Sequence, residues 1–179
     1  MKEILHRLPM RFKFALVLVL PLIALGWFAA SGAIARQAAV NELSRMQALT
    51  ALAQQAGGWV HQVQRERGMT AGFLGSQGKV FGDRLRQQRS DTDAAAEAFF
   101  QQRDQLDATL LTSTISSQLA AVEQQWQQNQ SLRDQVDLLS VATPEALGHY
   151  TGLNSLLMVL VGELAHLTGE GAITRQLAA

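Results

Sequence analysis

The chain has 179 residues, of which 47% are hydrophobic and 17% are charged, and its formal net charge at pH 7 is zero. This composition excludes an intrinsically disordered chain, and the zero net charge gives no reason to expect a nucleic-acid partner. The sequence contains no cysteine, which excludes disulfides and cysteine-ligated zinc. A globular or membrane-anchored protein remains.

The N-terminal segment from Phe14 to Ala35 contains 22 consecutive residues without a charge, enough to cross about 30 Å of hydrocarbon. Basic residues dominate the segment before it, which predicts a cytoplasmic N-terminus over residues 1–13 and a single transmembrane helix over 14–35. A cleaved signal peptide is the alternative, because Ala33-Ile34-Ala35 has the form of a cleavage site. The helical pattern continues past Ala35, which favours an uncleaved anchor.

Residues 36–168 show helical periodicity without strand-like alternation. They predict an all-α fold in which the transmembrane helix is followed by an antiparallel four-helix bundle on the far side of the membrane. The predicted soluble helices cover about 36–73, 81–106, 115–139 and 143–168. Gly75-Ser76-Gln77-Gly78 predicts a loop, and Thr143-Pro144-Glu145 predicts a helix start. A further helix is expected to begin at Ala172, so that residues 169–179 hold only its truncated start.

The main candidate for a binding residue is Arg67. At 100° per residue it shares a helix face with Val63 and Thr70, which predicts a guanidinium directed into the core, whereas Arg65 points toward water. A buried guanidinium needs a partner, because an unpaired charge costs several kcal/mol (roughly) to desolvate. The partner is either a carboxylate of the bundle or an anion from solution. The candidate carboxylates are Asp91, Asp93 and Glu163.

The second predicted helix carries Arg89 and Thr92. Arg89 lies one turn from Asp93, which favours a structural ion pair between them. The hydroxyls of Thr70 and Thr92 are suited to donate to an oxyanion, although helical threonines commonly bond back to their own helix.

No metal, cofactor or catalytic activity is expected. Glu163-x-x-His166 is half of a carboxylate–histidine metal pattern whose second half is missing. The sequence also lacks a Ser–His–acid or paired-carboxylate constellation, so we do not expect an enzyme.

Three stretches resemble a known family: residues 64–68 (Gln-Arg-Glu-Arg-Gly), 72–76 (Gly-Phe-Leu-Gly-Ser) and 88–93 (Gln-Arg-Ser-Asp-Thr-Asp). In this order they are similar to the nitrate- and nitrite-sensing domain, the helical input module of bacterial chemoreceptors, sensor kinases and a nitrate-responsive antiterminator. Residues 148–154 resemble the same family, and the likeness extends over about 43–179, roughly the first bundle of a two-bundle domain. The family's second bundle, thought to supply another arginine, is not covered.

The resemblance implies nitrate or nitrite as the ligand. It implies Arg67 as the main binding residue, with Thr70, Arg65, Arg89 and Thr92 as further candidates. We therefore predict the sensory region of a membrane-anchored receptor of the chemoreceptor or sensor-kinase type. The resemblance implies a bacterial inner-membrane location, with the helical domain over 36–168 in the periplasm. Its expected partners are a small oxyanion, the membrane and a second copy of the chain. The alternative is a ligand-free structural or dimerisation bundle in which Arg67 is salt-bridged.

Overall fold

The computed structural model describes residues 9–107 and 111–178, and every regular element within these ranges is a helix. The helices are α1 (Met10–Gly75), α2 (Gly82–Asp104), α3 (Ser113–Gln127), α4 (Asn129–Asp137) and α5 (Thr143–Ala178). The prediction of an all-α bundle is confirmed. Lys2 and Arg7, which contribute to the predicted orientation in the membrane, lie outside the described residues. The chain divides into two compact units, Met1–Ser44 and Arg45–Ala179.

The first unit contains the N-terminal part of α1, where large apolar side chains such as Trp27 and Phe28 are exposed. Pro21 lies inside α1 without ending it. By length and composition alone, two helical stretches are apolar enough to cross a membrane. They are Pro21–Gly75, whose most apolar part is 0% buried, and Thr143–Gly169, whose most apolar part is 22% buried. Signal sequences and soluble core helices have the same property, so the span over residues 14–35 stays a prediction.

The second unit holds the hydrophobic core, to which each helix contributes one stripe of side chains. At its centre Trp59 of α1 contacts Phe99 and Phe100 of α2 and Trp126 of α3, with ring centroids 5.2, 5.5 and 5.0 Å away. Leu153, Leu157, Leu160 and Leu164 form the buried stripe of α5 at the spacing of three and four residues expected for a helix. Burial of these stripes against one another is the main source of stability for such a bundle.

Two predicted helix boundaries are wrong. The predicted helix over 115–139 is divided at Gln128, whose backbone N–H bonds to the carbonyl of Gln125, three residues back, at 3.3 Å. Such a tight turn interrupts the α-helical hydrogen bonding between α3 and α4. The apolar pattern does not show the interruption, because Val122, Leu132 and Val136 are all buried. In contrast, α5 continues through Gly169 and Gly171 to Ala178, so no separate helix begins at Ala172. A glycine inside a helix costs only about 1 kcal/mol and does not by itself end it.

The predicted loop between α1 and α2 is confirmed and depends on glycine at two places. Gly78 has φ of +77°, a left-handed conformation that favours glycine, and its N–H closes the end of α1 by bonding to the Phe73 carbonyl at 2.9 Å. A Cβ on Gly72 would lie 2.5 Å from the ring of Phe81. Glycine at this position therefore lets the Phe81 ring pack directly against the α1 backbone.

Candidate functional site

The charged residue that α1 directs into the core is Glu66, and the prediction that Arg67 points inward is wrong. Glu66 is 0% exposed, and Val63 and Thr70 are buried on either side of it. Arg67 and Arg65 are both exposed. The buried face of α1 therefore contains Val63, Glu66 and Thr70, and Arg67 lies outside it.

The Glu66 carboxylate is paired with Arg133 of α4. Arg133 Nε donates to Glu66 Oε1 at 2.7 Å and Arg133 Nη2 donates to Glu66 Oε2 at 2.8 Å, so the pair is bidentate. The hydroxyl of Tyr150, on α5, donates a third hydrogen bond to Glu66 Oε1 at 2.9 Å. One buried carboxylate thus connects three helices, and its charge is balanced by a guanidinium of matching geometry.

Arg133 also reaches a second carboxylate, because its Nη1 donates to Asp93 Oδ1 of α2 at 2.7 Å. Asp93 is therefore not the partner of Arg89, and the predicted Arg89–Asp93 pair is wrong. Arg89 instead donates to Asp137 Oδ2, at the end of α4, at 2.8 Å. Together, Arg89 and Arg133 tie α2 to α4 at two points.

Burial changes the pKa values of several groups around this network. Burial raises the pKa of the Tyr150 phenol, and the nearby charge of Glu66 adds to the increase. Desolvation alone would lower the pKa of Arg133, but its hydrogen bonds and charge interactions with Glu66 and Asp93 outweigh this effect and raise it. Burial lowers the pKa of His149, partly offset by the charge of Glu66. Tyr150 therefore stays protonated and Arg133 stays charged at neutral pH.

The two threonines predicted as oxyanion donors lie inside the bundle. Thr92 donates its hydroxyl proton to the Gln88 carbonyl of its own helix at 2.8 Å, the local bonding that competes with ligand binding. The Thr70 hydroxyl is buried near the phenol of Tyr150 without completing a hydrogen bond within the described residues. Both residues are 0% exposed, so neither reaches the cleft in which Arg67 lies.

Arg67 lines an open cleft between α1 and α5. The cleft has a volume of about 440 Å³, and its other lining residues are Gln64, Thr151, Asn154, Ser155 and Met158. No hydrogen bond or ion pair joins Arg67 to any of the described residues. None of the three carboxylates considered as its partners forms an ion pair with it. Asp93 pairs with Arg133, Asp91 accepts from Gln87 at 3.0 Å, and Glu163 forms no ion pair with Arg67. The guanidinium is therefore available to an anion.

Of the four remaining predicted site residues, none lines this cleft. Arg65 lies on the exposed surface of α1, and Arg89 belongs to the buried network. The sequence reasoning did not select Gln64 and Asn154, which line the cleft, although the signals were present. Gln64 lies one helical turn before Arg67, and Asn154 interrupts the apolar pattern of α5.

A larger cleft of about 680 Å³ lies between α2 and the α3–α4 segment, with Asp93, Glu97 and Asp104 among its lining residues. Its single cation, Arg133, is already paired with two carboxylates. This surplus of acidic groups disfavours an anion there. The described residues contain no group of three or more His, Asp or Glu side chains that could hold a metal ion. The Arg67 cleft is therefore the best candidate site.

The described residues thus form an all-α bundle with an exposed arginine in a surface cleft, and this arginine forms no ion pair with any of them. A family profile described as nitrate and nitrite sensing matches residues 59–179. This match covers more than half of the chain, and the chain belongs to that family. The resemblance stated from the motifs is thereby confirmed, and nitrate and nitrite sensing is the role that the family supports.

A solved structure gives the same result for the fold. The structure of the NasR transcription antiterminator matches with a TM-score of 0.66 and 25% sequence identity. The match covers 79% of the present chain and 37% of the antiterminator chain, so the present chain spans well under half of that protein. No curated protein matches the chain.

Proposed function

We propose that this chain is a sensory input region that binds nitrate or nitrite at Arg67, without catalysing a reaction. The observation that carries the proposal is an exposed guanidinium that forms no ion pair with the described residues, in a cleft lined otherwise by uncharged residues. A guanidinium stays charged at any working pH, and its planar fork can donate to two oxygens of a small oxyanion at once. A ligand that is itself an anion would supply the negative partner that Arg67 does not have among the described residues.

We further propose that residues 14–35 anchor this domain in the bacterial inner membrane, with the bundle in the periplasm and residues 1–13 in the cytoplasm. The uncharged length of that segment supports a span, and the basic residues before it support the orientation. The receptor would then be of the chemoreceptor or sensor-kinase type and act as a homodimer. The bound anion would favour one of two packings of the bundle, because a ligand shifts an equilibrium only by binding one state more tightly.

The alternative function is a ligand-free dimerisation bundle. Exposed Met158 and Val159 on α5 favour it, since large apolar side chains on a helix surface are typical of interfaces. The two functions differ in their response to anions. A ligand that binds only the folded form at about 100 times its Kd stabilises that form by roughly 2.7 kcal/mol. A dimerisation bundle would melt at the same temperature with and without nitrate at constant ionic strength.

The test compares three variants of the full chain in detergent by thermal melting and by titration with nitrate and nitrite. Arg67→Ala removes both the charge and the fork, and Arg67→Lys keeps only the charge, so both should weaken binding by about 10-fold or more. Their melting temperatures without ligand should match the parent, because Arg67 is exposed and unpaired. Arg65→Ala is the matched control on the same helix, and it should weaken binding less. Binding that survives Arg67→Ala unchanged would exclude this site.

A further inference from the structure

The hydrogen-bond donors of the Arg67 cleft are not equally available to a ligand. A hydroxyl group has one proton to donate. The hydroxyl of Thr151 donates to the Leu147 carbonyl at 2.7 Å, and the hydroxyl of Ser155 donates to the Thr151 carbonyl at 2.9 Å. Both protons are therefore used within α5. An anion, which offers only acceptors, could recruit either hydroxyl only by breaking one of these bonds.

The two carboxamides of the cleft are in the opposite situation. Neither Gln64 nor Asn154 makes a side-chain hydrogen bond within the described part of the chain, although both line the cleft. Asn154 Oδ1 is buried and accepts no hydrogen bond, whereas the residue as a whole is partly exposed. The accessible side of this carboxamide is therefore the amide nitrogen, which carries two donors. Gln64 lies three residues before Arg67 on α1, on a neighbouring part of the same helix face.

We propose that Asn154 and Gln64 donate amide hydrogen bonds to the oxyanion that Arg67 holds, and that they set a preference for an anion with three oxygens over one with two. This inference rests on the proposed binding of nitrate or nitrite at Arg67. The guanidinium fork is satisfied by two oxygens. Nitrate has a third oxygen that needs a donor from elsewhere in the cleft, and nitrite does not. The carboxamides are the uncommitted neutral donors available to it.

The experiment titrates the full chain in detergent with potassium nitrate and with potassium nitrite, at constant ionic strength, by calorimetry. Asn154→Ala should weaken nitrate binding by about 10-fold or more, because a hydrogen bond to a charged group is lost. Nitrite binding should change less, so the ratio of the two affinities should fall. Gln64→Ala should act in the same direction with a smaller effect, since Gln64 is exposed and fixing its side chain on binding costs conformational entropy. Each variant is also melted without ligand.

Thr151→Val and Ser155→Ala are the matched controls from the same cleft, and each should leave both affinities within about 2-fold of the parent. A variant that is partly unfolded loses affinity for nitrate and nitrite equally, so the ratio still reports on the carboxamide. If Arg67→Ala abolishes binding while Asn154→Ala leaves the ratio unchanged, or if Ser155→Ala lowers it instead, the carboxamide assignment is wrong. If the parent binds neither anion, or if Arg67→Ala binds as the parent does, the proposed function itself is wrong.

Discussion

The buried Glu66–Arg133 pair should respond very unequally to removal of its two partners. Arg133→Met removes both charge-assisted hydrogen bonds to Glu66 and a third to Asp93. The Glu66 carboxylate, 0% exposed, is left with only the Tyr150 hydroxyl. Stranding a buried charge in this way costs roughly 3–5 kcal/mol. Glu66→Gln instead leaves Arg133 paired with Asp93 at 2.7 Å, whose side chain is 53% exposed. We expect its cost to be about 1.5–3 kcal/mol, the value of hydrogen bonds to a charged group.

The measurement is thermal melting of the full chain in detergent, with unfolding monitored by circular dichroism. At about 3 °C per kcal/mol for a domain of this size, Arg133→Met should lower Tm by about 9–15 °C. The double variant Glu66→Leu with Arg133→Met should recover about 2 kcal/mol or more relative to Arg133→Met, because it leaves no buried charge unpaired and Asp93 is 53% exposed. Arg103→Met is the matched control, since Arg103 also pairs with two carboxylates but near the surface, and should cost at most about 1 kcal/mol. A larger loss for Glu66→Gln than for Arg133→Met, or a double variant no more stable than Arg133→Met, would refute this reasoning.

Three further predictions concern other parts of the chain. Tyr150 is the single tyrosine, and burial raises its pKa in the folded state. The stability that it contributes is therefore complete below the unfolded pKa of about 10 and decreases as pH rises above that value. The absorbance change of Tyr150 at 295 nm should coincide with unfolding, and ionisation near pH 10 in a folded chain would contradict this. Gly72→Ala should lower the Tm of the parent, since the new Cβ would lie 2.5 Å from the Phe81 ring. In a Phe81→Ala background the same substitution should raise Tm, because alanine has a higher helix propensity than glycine by up to about 1 kcal/mol. A reporter that is active only in the periplasm should work when fused after Ala179, and activity of a cytoplasmic reporter there would overturn the proposed topology.

The local properties of the chain could be read from the sequence. The helical period, the loop at Gly75–Gly78 and the start of α5 at Thr143 depend on interactions between residues a few positions apart. The Thr92 hydroxyl bonding to its own helix is of the same kind. Family membership was also available from short motifs. The helical period, the loop and the helix start do not depend on the rest of the fold, because backbone hydrogen bonds and local sterics decide them.

Which charge of α1 enters the core was decided only by tertiary structure. Glu66 lies three residues after Val63 and four before Thr70, whereas Arg67 lies four after Val63 and three before Thr70, so both positions fit the same helical stripe. Periodicity cannot separate them. The choice depends on Arg133, 67 residues further along the chain, whose guanidinium compensates a buried carboxylate and would repel a buried arginine. With Glu66 inside, Arg67 is left exposed on α1, in the cleft beside Asn154 of α5.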